Sequence, residues 1–199
     1  MRIEITGAIG AGKSSLAKLL LDHGYEVVFE EFKANPFWRA FYTNPDKYNF
    51  ETEITFVLQH YHELKRKLEE ANEIVAADFS FTQDLAYAVM GLNKTQLQIF
   101  RSIYNYIIKE LGEPKLIIFM KCSSEGLLKR IKLRGREEEA LIDDNFLTGL
   151  SMFIKKEVEN KRKSKKSISL LEIDTEEFNI IHNSSHQHHV LNLIKELLT

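Results

Sequence analysis

Residues 7–14 read Gly-Ala-Ile-Gly-Ala-Gly-Lys-Ser, the pattern GxxxxGKS. It follows a β-rich alternating run at residues 2–6 and precedes a helix-like stretch at 13–23. Strand, glycine-rich turn and helix in that order make a phosphate-binding loop, and they commit the chain to a parallel α/β architecture. The glycines let backbone N–H groups surround phosphate oxygens. Gly7, Ala8, Gly10, Ala11, Gly12, Lys13, Ser14 and Ser15 are therefore the expected nucleotide-binding residues. Lys13 reaches toward the β- and γ-phosphates, and the Ser14 hydroxyl is placed to hold Mg²⁺. The pattern selects a triphosphate but not a reaction. A GTPase would need a guanine-reading NKxD element, which the sequence lacks.

The rest of the chain continues the alternation. Strands are expected at 26–29, 73–77, 116–120 and 168–173. Helices are expected from Asn35-Pro36 onward and over 50–70, 95–111, 123–133, 144–160 and 190–198. The 50–70 helix carries Ile54, Val57, Leu58, Tyr61, Leu64 and Leu68 at helical spacing. One α/β domain over 1–199 is expected, with a parallel sheet covered on both faces and its ligands at the carboxyl ends of the strands. The formal charge of −2 argues against broad nucleic-acid binding. The single cysteine, Cys122, fits a reducing, cytoplasmic setting. No apolar run approaches the roughly 20 residues that span a bilayer, and no signal-peptide pattern precedes the first strand.

Arg130 and Arg134 are spaced i, i+4 at the end of a helix, and Gly135 permits a turn that aims Arg136 back toward them. Three guanidiniums brought to one place suit the charge that develops on a transferring phosphoryl group. With Glu137-Glu138-Glu139 they read as an arginine-rich LID over about 134–143, which points to a small-molecule kinase that excludes water when loaded.

Four blocks together resemble the deoxyribonucleoside kinase family, which holds deoxyadenosine, deoxyguanosine and deoxycytidine kinases. They are GAIGAGKSS at 7–15, EEFKANPFWRAFYTNPDKYNFETE at 30–53, DFSFTQD at 78–84 and RIKLRGREEE at 130–139. The resemblance implies a five-stranded parallel sheet flanked by helices, a LID, ATP with Mg²⁺, and a homodimer joined through helices. It implies that Glu30, five positions before the Asn of the NPF block, is the general base for the 5′-hydroxyl; the adjacent Glu31 is the competing candidate. It places Tyr42 and Glu139 at the sugar 3′-hydroxyl, and Glu53, His60 and Asp84 at the nucleobase. Asp78 is placed beside the Mg²⁺ together with Ser14. The loop at 174–178 is expected on the adenine of ATP.

Two positions depart from the family pattern. Glu53 stands where a Gln is typical. Phe79 stands where the (D/E)RS signature has arginine, which leaves Arg39 or Lys33 as candidate substitutes. An ionised Glu53 accepts only, which suits guanine N1–H and N2–H₂; a proton or His60 would instead admit adenine or cytosine. The histidines at 182–189 are expected in a loop without metal, and the lysines of 155–166 on a solvated helix end.

The expected function is ATP-dependent transfer of the γ-phosphoryl group to the 5′-hydroxyl of a deoxyribonucleoside, with a slight purine preference. Lys13, Glu30, Arg130, Arg134 and Arg136 are the expected catalytic residues. Two alternatives stay open: a kinase for another small acceptor such as a nucleoside monophosphate, and an ATP-binding regulatory protein that has lost catalysis.

Overall fold

A computed structural model describes residues 1–198. Five strands form one parallel sheet: β1 (Arg2–Thr6), β2 (Glu26–Val28), β3 (Val75–Ala77), β4 (Leu116–Lys121) and β5 (Ser169–Asp174), in the order β2-β3-β1-β4-β5. Eight α-helices connect and cover them: α1 (Lys13–Asp22), α2 (Trp38–Thr43), α3 (Pro45–Glu70), α4 (Phe81–Gly91), α5 (Lys94–Leu111), α6 (Ser124–Arg134), α7 (Asp144–Ser164) and α8 (Ser184–Leu198). The expected five-stranded α/β fold is the fold observed.

Alternation along the strands divides the core. Ile3 and Ile5 of β1 and Ala76 of β3 pack with α1, α7 and α8 on one face, and Val75 and Ala77 pack with α3 and α5 on the other. Residues i and i+2 point to the same side of a strand; the other side of the central strand β1 carries the buried pair Arg2–Glu4, whose Glu4 Oε2 accepts from the Phe81 N–H. Helix α5 shows the matching helical logic. Asn93 and Gln96 close a capping box at its start, and Phe100, Tyr104 and Ile107 fall on one buried face.

The structure differs from the sequence reading at several places. Helix α3 starts at Pro45, where Asn44 caps it by accepting from the Lys47 N–H, five residues before the expected start. Helix α4 had no predicted counterpart. Helix α8 begins at Ser184, so His186, His188 and His189 lie on a helix rather than in a loop. His186 Nδ1 accepts from the Asn179 N–H, and His189 stacks on Phe178. Phe178 packs against the core with its ring on the α8 histidines.

β1 is flanked by β3 on one side and β4 on the other, and the chain changes direction across the sheet there. A crevice opens above the carboxyl ends at such a point. Gly7, Glu30 and Asp78 all lie just beyond strand ends on that edge.

Candidate active site

The loop after β1 is built for close approach. Gly7 has φ of +154°, and a Cβ there would lie 2.7 Å from the Met120 carbonyl oxygen. The Gly7 N–H donates to Gln83 Oε1 at 3.2 Å, and Lys13 Nζ donates to the Gly7 carbonyl at 3.0 Å. Gly12 caps α1 with no side-chain hydrogen bond, so the first amides of that helix face the crevice with its positive dipole end. Ala8 and Ala11 turn their methyl groups into the core, which leaves them only backbone to offer.

The crevice is a cavity of about 500 Å³. It brings together Gly10, Gly12, Lys13, Ser14, Ser15, Glu30, Tyr42, Glu53, His60, Asp78, Asp84, Arg130, Arg134, Arg136 and Glu139. These come from sequence blocks more than 100 residues apart. The volume suits a small molecule, with apolar walls and a few convergent polar groups. The walls are residues the sequence reading had not assigned: Phe32, Trp38, Phe41, Phe56, Tyr87 and Ile181. Gln83 and Thr52 also line the cavity. Nothing in periodicity separates such wall aromatics from core aromatics.

Of the two candidate acids after β2, Glu30 lines the cavity. Glu31 is exposed, and its carbonyl accepts from Gln59 Nε2. Burial alone would raise the Glu30 carboxyl. A hydrogen bond and charge from His60, with the charges of Lys13 and Arg136, outweigh that and hold it below the usual carboxylate range. It is therefore a carboxylate at neutral pH.

Asp78, at the end of β3, is 3% exposed. Burial pushes its carboxyl up to about 6, against the pull of Lys13 and a hydrogen bond from Ser14. Its Oδ1 is buried with no hydrogen-bond partner. An orphaned carboxylate oxygen beside a serine hydroxyl is a hard-donor pair of the kind Mg²⁺ takes alongside phosphate oxygens.

Glu53 lies on α3 and is 4% exposed. Burial, with the negative charges of Asp84 and Glu30, pushes its carboxyl well above the ordinary range. Of the two states the sequence leaves open for Glu53, this direction favours the protonated one, which has one donor and one acceptor.

The three arginines converge only in part. Arg134 Nε donates to Glu139 Oε2 at 2.7 Å, and Arg136 approaches Oε1 at 3.2 Å. Gly135, with φ of +63°, makes the left-handed turn that folds Arg136 back, and the Arg136 guanidinium lies over the Phe32 ring at 4.2 Å. Arg130 is anchored elsewhere: it donates to the Thr175 hydroxyl at 2.7 Å and carbonyl at 2.8 Å, and to the Gly10 carbonyl at 3.4 Å. All three still line the cavity. Tyr42 stands edge-on to Trp38, and burial with the Glu139 carboxylate raises its phenol.

Neither Arg39 nor Lys33 stands in at Phe79. Arg39 is largely exposed and pairs with Glu138 at 2.9 Å, and Lys33 lies on an exposed turn. Phe79 is fully buried and stacks on His60, with ring centroids 4.0 Å apart and planes 7° from parallel.

The family model for deoxynucleoside kinases matches residues 3–199. The chain belongs to the deoxynucleoside kinase family. It is 28% identical over 200 residues to the deoxyguanosine kinase of Bacillus subtilis, covering 98% of this chain and 97% of that one. It is 31% identical over 162 residues to the deoxyadenosine kinase of Dictyostelium discoideum, covering 74% of this chain and 62% of that one. The fold superposes on the deoxyadenosine kinase of M. mycoides, solved with dCMP and a flexible dCDP bound, with a TM-score of 0.81 at 23% identity, covering 98% of this chain and 100% of that one.

Proposed function

We propose that this kinase transfers the γ-phosphoryl group of ATP to the 5′-hydroxyl of a deoxyribonucleoside. The observation that carries this is the placement of an ionised Glu30 in the same 500 Å³ cavity as Lys13 and its phosphate loop. Phosphoryl transfer asks little covalent chemistry of the protein, so positioning and charge do most of the work. Glu30 accepts a hydrogen bond from the hydroxyl and takes its proton as the oxygen attacks phosphorus. Lys13 and the loop amides hold the triphosphate. Ser14 and Asp78 would hold Mg²⁺. When bound, that ion neutralises charge on the phosphate oxygens.

Residues 134–143 act as the LID in this reading. Arg134 and Arg136, prepaired by Glu139, and Arg130, braced by Thr175, supply positive charge to the transition state. Tyr42 and Glu139 hold the sugar 3′-hydroxyl. Glu53, His60 and Asp84 face the nucleobase. A neutral Glu53 complements an edge with one donor beside one acceptor, such as adenine N6–H₂ with N1 or guanine N1–H with O6. The aromatic walls favour the larger stacking area of a purine. Two relatives described as deoxyguanosine and deoxyadenosine kinases support that preference. No helix among the described residues is long and apolar enough to cross a membrane. A cytoplasmic homodimer acting on free nucleosides completes the proposal.

The test is label transfer from [γ-³²P]ATP to each of the four deoxyribonucleosides. Transfer to at least one purine deoxynucleoside is expected. A folded, ATP-binding protein that labels none of them would overturn the proposal.

A further inference from the structure

His60 sits in the cavity wall, packed among two aromatic rings and two carboxyl groups. Phe79 covers one ring face at 4.0 Å, and Phe56, one helical turn earlier on α3, stacks at 5.7 Å. With Phe79 parallel to the ring and close against it, polar partners meet the ring at its edges. Nδ1 donates to Asp84 Oδ2 at 3.0 Å. Nε2 faces Glu30 Oε1 at 3.5 Å, an ion-pair distance, and makes no hydrogen bond among the described residues. The side chain of His60 is 1% exposed, so its two ring nitrogens are met by protein rather than water.

We propose that His60 is a positioning residue: held as an imidazolium by Asp84 and carried on the Phe79 ring, it sets the charge and orientation of Glu30, joining the nucleobase end of the cavity to the reacting end. The inference rests on the reading of Glu30 as the group that receives the hydroxyl proton. An imidazolium between two carboxylates is favoured over a neutral ring because each edge N–H then has a charged acceptor. Burial alone would lower the imidazole, but Asp84 and Glu30 push it up to about 10. Glu53, on the same helix, and Asp78, at the end of β3, are also within electrostatic reach of it and add to this pull whenever they are ionised. Lys13 and Arg136 act on Glu30 from the loop and the segment after α6. Phe79, which brings no charge of its own, serves by fixing the ring plane so that both edges stay aligned.

The consequence is a connected Asp84–His60–Glu30 unit. Removing the imidazolium leaves Glu30 in place but without its nearest cation, so the loss belongs to turnover more than to binding.

Two measurements test this. The first follows the His60 Cε1–H resonance of the unliganded protein between about pH 5 and 9, the range in which a free imidazole titrates. No titration step is expected, and a step near the ordinary value of about 6.5 would overturn the proposal. The second compares kinetics of wild type, His60→Gln and Phe79→Leu over pH. For His60→Gln, kcat is expected to fall about tenfold or more with a smaller change in nucleoside KM, and the acid limb of kcat to move to higher pH. Phe79→Leu, which keeps the apolar filling but removes the stack, is expected to shift both in the same direction by less. An unchanged acid limb, or a change confined to KM, contradicts the proposal. Should His60→Gln fail to fold, Phe79→Leu and the resonance titration decide. A wild-type protein that phosphorylates no deoxynucleoside would refute the assigned reaction, whereas the resonance titration separately tests the charged unit.

Discussion

At the residue scale, the site is a set of carboxyl groups whose proton affinities differ by surroundings. His60, Lys13 and Arg136 hold Glu30 low; burial and two neighbouring acids push Glu53 up; Asp78 is raised to about 6. The Asp78 value has a sign that can be checked. Its folded-state value lies above the ordinary 3.8. The folded state therefore binds the proton more tightly, and stability falls as pH rises from about 4 to 6. At neutral pH the buried charge costs up to about 3 kcal/mol. Asp78→Asn is expected to raise the thermal midpoint at pH 7.5 while abolishing turnover; calorimetry with an activity assay checks it, and a lowered midpoint contradicts it. The identities of these acids were legible from their motif blocks. Their charge states were not, because protonation follows from burial and from neighbours such as Asp84, which is 31 residues from Glu53 in sequence.

At the scale of elements, strand–loop–helix order carried most of the fold, since buried strands such as β4 (LIIFMK) read as apolar runs. Helix α4 escaped that logic for a physical reason. Ala86 packs into one core cluster and Ala88 into the other, while Thr82, Gln83 and Asp84 are buried too, so the helix has no solvated face to create a period. Its burial is functional: Gln83 bonds the first loop amide and Asp84 bonds His60. The loop it supports tolerates no side chain at its first position. Gly7→Ala places a Cβ 2.7 Å from the Met120 carbonyl oxygen at a φ of +154°. Titration calorimetry is expected to show ATP affinity reduced by about tenfold or more, an effect of roughly 1.4 kcal/mol or above. Wild-type affinity in this variant would contradict the geometry assigned to the loop.

At the scale of the whole molecule, the strand order β2-β3-β1-β4-β5 gathers blocks from residues 7 to 181 onto one edge. That order cannot be read from periodicity, which marks five strand segments but is blind to which of them are sheet neighbours. The proposed homodimer has support in apolar side chains left exposed on α5, Ile99 at 47% and Tyr106 at 58%. Sedimentation at micromolar concentration is expected to give about twice the 23.2 kDa chain mass. A species at the single-chain mass would remove the dimer from the account. In the proposed reaction Glu30 directs the γ-phosphoryl group to one hydroxyl of a deoxynucleoside. The most direct test is the ³¹P–¹H correlation spectrum of the product made from ATP and a purine deoxynucleoside. Coupling of the new phosphorus to the two 5′ protons is predicted, and coupling to the 3′ proton, or no new phosphate ester, would contradict it.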